Sequence, residues 1–382
     1  MAGLFLRATG AEREADIEAT PALQSYRAEI WTDLGAQWDS IVGGFADACL
    51  EQMAAYAVPR WGGSRLCGLV LRDVVTHEPM AAALAVIATL PLIKLGLAYV
   101  KFGPLWRRRD REPDPGVLAA ALAALREMLV IRRQLVVRVM PPPDPDFGAE
   151  WQRALLDAGF TRHGAAADPE RYLVDLRLSE TEQRASLGSK WRSNLNKALT
   201  EGLDIREVDP VRELPQFLAL YESMLARKQF ADRHHVKLLP AFAAKAATTP
   251  ELGVRLILAC HDGAPVAGSM LVGAGDRVFA AFSASDERAL PLRAGYALRW
   301  WIINRLRGSG ARWLDLGGTE GDVGLKSFKT GNVGKRGRIE EISGEYDFAD
   351  NALSVIVSSV LSSAHSLAQA RPLQHILRSR RA

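Results

Sequence analysis

From Arg65 onward, short apolar runs alternate with turn residues. RLCGLVLRD (65–73), MAAALAVIATLP (80–91) and IKLGLAYVKFGP (93–104) predict three successive strands, with a turn around Thr76 to Pro79. An Arg-rich loop follows (Arg107, Arg108, Arg109, Arg111), then an Ala- and Leu-rich helix from Pro115 to about Val130, then the strand QLVVRVMP closed by three prolines. The second half repeats the order. VRLILAC turns through His261, Asp262 and Gly263 into VAGSMLVGAG, Asp276 and Arg277 lead into VFAAFSAS, and a helix from about Arg293 to Arg307 stops at Gly308-Ser309-Gly310 before the strand RWLDLGG. Strand, strand, strand, helix, strand occurs twice over about 190 residues, which predicts two copies of one α/β domain.

Between the copies lies a basic segment, 185–202, read as one helix ended by Gly202, with Trp191, Leu195, Ala198 and Leu199 on its apolar face and Lys190, Asn194 and Lys197 beside them. Leu214 to about Ala247 predicts two further helices broken near His234 and His235. The stretch after Asp350 reads as a closing helix with a basic tail (Arg378, Arg380, Arg381), and the start as a disordered leader lacking a signal-peptide core. Met80 to Val100 is apolar enough to imitate a membrane span, but Pro91, Lys94 and Gly96 interrupt it, and two buried strands suit it better.

Composition narrows the class. A chain of 382 residues has room for two domains, and 48% hydrophobic with 24% charged residues is globular. A net charge of +4 does not announce a nucleic-acid binder, so only a local basic patch could serve one. The cysteines Cys49, Cys67 and Cys260 are scattered, without metal or disulfide spacing, as expected in a reducing cytosol.

Candidate chemistry concentrates in DLGGTEGDVGLKSFKTGNVGK, 315–335, with six glycines and three lysines after a strand. Such a segment either brings backbone N–H groups and a mobile lysine to an anionic ligand or oxyanion, or forms a surface hairpin with solvated lysines. Its spacing fails the P-loop pattern, and no dinucleotide fingerprint occurs. At 289–297 Arg293 and Gly295 retain fragments of a pyrophosphate-binding turn, or simply open a helix packed on a sheet. Lys190, Arg192 and Lys197 could meet a phosphate chain or line a solvated face. Adjacent His234 and His235 make a poor metal pair. No nucleophile elbow or zinc-protease motif is present, which leaves direct acyl transfer, a reaction that needs alignment and oxyanion stabilisation more than strongly marked side chains.

The series KWRSNLNKALTEGL, FLALYESMLARKQF, LACHDGAPVAGSMLV, LRAGYALRWWIINRLRGSGARWLDLGG and GLKSFKTGNVGK resembles, in that order, the Fem aminoacyltransferase (FemABX) family and its relatives within the GNAT fold. CLEQMAAYAVPRWGG, YVKFGPLW and DPERYLVDLRLS extend the resemblance, from Cys49 to Tyr346. It implies two tandem GNAT-like α/β domains with mixed sheets, expected at 25–178 and 179–350 after a leader (1–24), with the linking helix at 185–202 and a C-terminal helix and tail at 351–382. It also implies transfer of an aminoacyl group from aminoacyl-tRNA to an amine of a peptidoglycan precursor such as a UDP-linked muropeptide or lipid II. In close relatives an acyl-CoA is the donor and an amino sugar or small amine the acceptor; a non-catalytic binding protein on the same fold is a third reading. No permanently bound cofactor or metal is implied. By the resemblance Lys329 stabilises the reacting carbonyl and Phe328 shapes its pocket. Tyr221, Arg227, Tyr296, Lys326, Lys190 and Arg192 would bind substrate, and Arg293 and Gly295 a phosphate. The expected location is cytoplasmic, with peripheral contact to an anionic inner membrane face. No long tRNA-binding coiled-coil arm fits into 203–253.

Overall fold

The computed structural model describes residues 23–89, 95–166, 168–228 and 236–350. The leader, His234 and His235, and the C-terminal helix and tail lie outside the described residues.

The apolar runs are strands. They are β1 (Tyr26–Trp31), β2 (Leu66–Asp73), β3 (Pro79–Thr89), β4 (Gly96–Lys101), β5 (Leu135–Met140), β6 (Thr161–Gly164), β7 (Glu170–Asp175), β8 (Asp204–Val208), β9 (Gly253–His261), β10 (Ala264–Gly273), β11 (Arg277–Ser285), β12 (Trp313–Asp315), β13 (Arg338–Glu341) and β14 (Glu345–Phe348). The helices are α1 (Ala36–Gly43), α2 (Ala54–Trp61), α3 (Pro115–Leu125), α4 (Gly148–Asp157), α5 (Glu180–Ser186), α6 (Ser189–Ala198), α7 (Leu214–Lys228), α8 (Leu239–Ala246), α9 (Ala294–Leu306) and α10 (Val323–Val333).

Two seven-stranded sheets run β1-β2-β3-β4-β5-β14-β6 and β8-β9-β10-β11-β12-β7-β13, the same order position by position. Each has one parallel pair, β4 with β5 and β11 with β12, bridged by a crossover helix, α3 or α9. The duplication expected from element order is therefore a duplication of topology.

The expected boundary at 178/179 needs correction in two places, because each half lends a strand to the other. β7 enters the second sheet between β12 and β13, and β14 enters the first between β5 and β6. Side chains select these partners. Arg138 on β5, buried, grips Asp347 of β14 through two nitrogens at 2.7 and 2.8 Å, while Tyr172 and Val174 of β7 enter the core under α9. The basic segment also differs: α5 and α6 are separate helices, broken at Leu187-Gly188 where the Gly188 N–H donates to the Gly331 carbonyl.

Three layers of core follow from the faces of the sheets. One face of the first sheet packs on α3 and α4, and one face of the second on α9. The largest cluster lies between, where Trp38, Met53 and Val70 of the first half join Phe217, Leu256 and Met270 of the second. The Arg-rich loop is part of this junction. Arg107 is buried against Asp47 (4.0 Å), Asp144 (3.3 Å) and Asp276 (3.0 Å), the last from the second half. Arg109 donates to the carbonyls of Gly43 and Ala274. Gly275 is glycine for a steric reason: a Cβ there would overlap the carbonyl oxygens of Ala46 and Ala48 across the junction.

Candidate active site

The two parallel strand pairs differ. β4 and β5 are paired along their whole length, Gly96 to Lys101 against Leu135 to Met140. β11 and β12 pair only from Arg277 to Phe279 against Trp313 to Asp315, so β11 continues to Ser285 without a neighbour on that side. A register shift between β10 and β11 at Met270/Leu271 accompanies the divergence. Beyond it Ser283 is exposed between buried Phe282 and Ala284. The second sheet therefore has an opening at its parallel pair and the first does not.

The segment 315–335 follows β12 directly and is not the hairpin or loop expected. It is a short turn followed by α10, capped by Asp322, whose carboxylate accepts from Leu325 N–H. Acids occupy the turn's amides: Gly317 N–H donates to Asp315, and the N–H groups of Thr319 and Glu320 donate to Asp168, which precedes β7. Gly318 allows this, since a Cβ there would overlap the Asp168 carboxylate. These amides are consequently not free for an oxyanion, which corrects the role expected for them.

Lys329 on α10 is the positive group that remains. It is half-buried and its ammonium donates to the Gly318 carbonyl. Burial, reinforced by Arg299 and opposed by Asp315, lowers it to about 8. At pH 7 about nine-tenths of the molecules still carry that proton. An ideal Cβ at Gly317 would stand 3.4 Å from Arg171 Nη1, 3.4 Å from the Phe279 ring and 3.8 Å from Lys329 Nζ, so the three groups converge on one point. Arg171, Phe279 and Asp315 also line a small cleft between the halves, together with Cys49, Glu51, Phe102 and Arg107. In that cleft burial raises Asp47 to about 7 and pushes the Cys49 thiol far up, whereas at Glu51 Lys101 and Arg171 outweigh burial and lower the carboxyl. A thiol held protonated is not a nucleophile.

The other expected residues divide into groups. Phe328, Tyr296 and Trp191 form one aromatic cluster, with Phe328 and Tyr296 centroids 5.0 Å apart and Trp191 at 5.1 Å from Tyr296. Asn194 donates to the Tyr296 hydroxyl. This cluster joins α6, α9 and α10 and so sets where Lys329 sits, while Lys190 projects from α6 to solvent and Arg192 binds back to the carbonyls of Arg184 and Ala185. Arg227 is exposed and donates to the Ser285 carbonyl at the open end of β11. Lys326 pairs with Glu170 at 2.7 Å. Tyr221 lies elsewhere: it is 2% exposed in the shared core beside Phe217 and Phe282, which corrects its expected place in a substrate channel.

Arg293 and Gly295 begin α9. Arg293 is left-handed (φ 51°), and the helix has no side-chain cap. Gly295 does not permit close packing, since a Cβ there would meet nothing within 4 Å. α3, at the matching place in the first half, starts at Asp114, whose carboxylate accepts from Gly116 N–H. An acid at a helix start occupies the site an anion would use. Sequence reasoning missed Arg299, Arg171, Asp315 and Asp168. Arg299 had a readable signal, lying three and four residues before Ile302 and Ile303 and so on the helix face they share.

Residues 183–330 match the acetyltransferase (GNAT) domain family. The chain is built as two tandem GNAT-like domains. The crystal structure of FemX is similar to it at 16% identity and a TM-score of 0.69, covering 84% of this chain and 97% of that one. A conserved protein of unknown function from Bacteroides thetaiotaomicron is similar at 12% identity and a TM-score of 0.56, over 83% and 98% of the two chains. A comparison with curated proteins gave no match. The matched region holds β11, β12, α9 and all of α10 up to Thr330, so the opening and Lys329 both belong to the second GNAT-like domain. Among the described residues no helix is long and apolar enough to cross a membrane, and no cluster of side chains could hold a metal ion.

Proposed function

We propose that the protein is an amide-forming acyltransferase whose reaction takes place at the opening beside Lys329, with an aminoacyl group passing from aminoacyl-tRNA to an amine of a peptidoglycan precursor. One observation carries the acyl-transfer part: of the two parallel strand pairs among the described residues, the one that opens is the one beside a half-buried, protonated lysine. A neutral amine attacks the donor carbonyl, negative charge develops on its oxygen, and the Lys329 ammonium stabilises that charge in a site of lowered dielectric. The lowered pKa keeps the ammonium near the point where it can also return a proton to the leaving group. The aminoacyl donor and the cell-wall acceptor rest on the FemABX resemblance of the motifs and on similarity to FemX along nearly the whole chain.

A second donor has its own support. The uncapped start of α9, flanked by Arg293 and by Arg227 near Ser285, offers helix N–H groups to a pyrophosphate, which favours an acyl-CoA. The choice is tested by thermal shift with acetyl-CoA, longer acyl-CoAs, a UDP-linked muropeptide and aminoacylated tRNA. A ligand at 100 times its Kd should add about 2.7 kcal/mol of stability. Stabilisation by the muropeptide or charged tRNA alone supports the Fem-like reading; stabilisation by acyl-CoA alone transfers the assignment to a thioester donor and moves the acceptor search to amino sugars and small amines.

A further inference from the structure

Arg299 is the anomaly of the second domain. It projects from α9 into the interior, 9% exposed, and among the described residues it has no carboxylate partner. Its Nη1 is buried without a hydrogen bond, and Nη2 reaches only the Ser283 hydroxyl, at 3.4 Å. Other buried guanidiniums are treated differently: Arg107 has three carboxylates and Arg138 two. A buried guanidinium without an anion costs stability, and folds retain such groups where a ligand supplies the charge.

Ser283 locates the exposed side of this group. It belongs to the part of β11 that has lost β12 as a neighbour, and it is exposed, so the Arg299 fork borders the opening already described. Phe328, next to Lys329 on α10, packs on Tyr296 of α9 with ring centroids 5.0 Å apart, and Arg299 lies one helical turn beyond Tyr296, so the two cations sit on neighbouring parts of the same helix pair. Arg299 offers the opening a guanidinium that no carboxylate among the described residues balances.

We infer that Arg299 receives the carboxylate of an acceptor whose free amine, borne on the same α-carbon, is acylated beside Lys329. The fork of a guanidinium matches the two oxygens of a carboxylate. In the reaction the acceptor nitrogen bonds to the donor carbonyl carbon, the donor's ester or thioester bond breaks, and the nitrogen's proton leaves with the departing alcohol or thiol. The carboxylate takes no part in bond making and fixes only the position of the amine. This rests on placing acyl transfer at the β11–β12 opening.

The test uses the full chain with N-acetylglycine, which carries both the new amide and the carboxylate, and N-acetylglycinamide, which lacks the charge. N-acetylglycine is expected to bind wild type at least about tenfold tighter than the amide, and Arg299→Met to abolish that preference. Arg299→Met is also expected to keep or raise Tm, since it removes an unpaired buried charge; Arg299→Gln serves as a second variant. Equal binding of the two compounds, no binding of N-acetylglycine, or a Tm several degrees lower in both variants would overturn the inference. Tighter binding of inorganic phosphate than of N-acetylglycine, lost in Arg299→Met, would overturn it in favour of a phosphate site. Acyl transfer that proceeds without any carboxylate preference sinks this inference alone, whereas carboxylate binding without transfer to any amine sinks the proposed reaction and leaves the site.

Discussion

The two halves share a strand order and differ at two matching places and in how each holds a buried arginine. In the first, β4 and β5 are fully paired, the crossover helix begins at an acidic cap, and the loop after β4 brings in Arg107 to meet three carboxylates. In the second, β11 and β12 part after three residues, the crossover helix is uncapped, and its Arg299 has no carboxylate. The strand pair and the helix start that are closed in the first half are open in the second. The first domain is thus the scaffold, with its charges neutralised against its partner, and the second carries the exposed chemistry. One topology serves both because topology fixes where a strand pair and a helix start meet, while single side chains decide whether that meeting point is sealed.

The largest effect should come from breaking the seal. Arg107→Ala leaves Asp47, Asp144 and Asp276 buried without their shared cation, and an equilibrium unfolding experiment should register a loss of about 3–5 kcal/mol. A loss below 1 kcal/mol would show that the junction is not held by charge. Next, Lys329→Met should lower kcat about 100- to 1,000-fold without lowering stability. The sign for stability follows from linkage: with Lys329 lowered to about 8 from 10.5, the unfolded chain binds more protons between those values, so this group makes stability rise with pH there. Wild-type activity should accordingly fall as pH climbs through about 8, and the limb should vanish from the residual activity of Lys329→Met.

Gly275→Ala is the smaller structural test, expected to cost about 1–3 kcal/mol because backbone of the two halves touches there. A neutral result would mean that the halves separate easily. Smallest is Asp114→Ala, which removes the α3 cap at a cost of about 1 kcal/mol and should not create a second donor site, since β4 and β5 stay paired. If that variant gained a response to acetyl-CoA, the cap alone would account for the difference between the halves. Asp47 gives a pH signature of the junction. Burial outweighs the Arg107 guanidinium and the Trp106 and Arg107 N–H donors and raises it from 3.8 to about 7, so the folded chain binds the extra proton and this group makes stability rise as pH falls from 7 towards 4.

Periodicity and turn residues are enough to read the repeated element order, since β2, β3, β4, β5, β9, β10 and β11 are strongly apolar and Gly308-Ser309-Gly310 marks the end of α9. The exchange of β7 and β14 was not readable, because short strands carry no mark of which sheet they join; Arg138 and Asp347 reveal their pairing only once 209 residues of separation have been folded away. α10 was read as a loop because it contains Gly324 and Gly331, which propensity disfavours in a helix. Tertiary packing overrides this at Gly331, which lies against Trp191. Lys329 stood out through its motif, but its surroundings did not: Arg171, Asp168, Asp315 and Arg299 come from four separate elements or turns. Four arginines in one loop gave no hint that Arg107 is buried and Arg111 is not.

The claim that the second domain alone receives the activated donor is tested most directly by amide hydrogen exchange with saturating acetyl-CoA and, separately, aminoacylated tRNA. The account predicts slowed exchange in 280–300 and 316–330 with either productive donor, and no change in 96–118. Protection confined to 96–118, or shared equally by both regions, would contradict it.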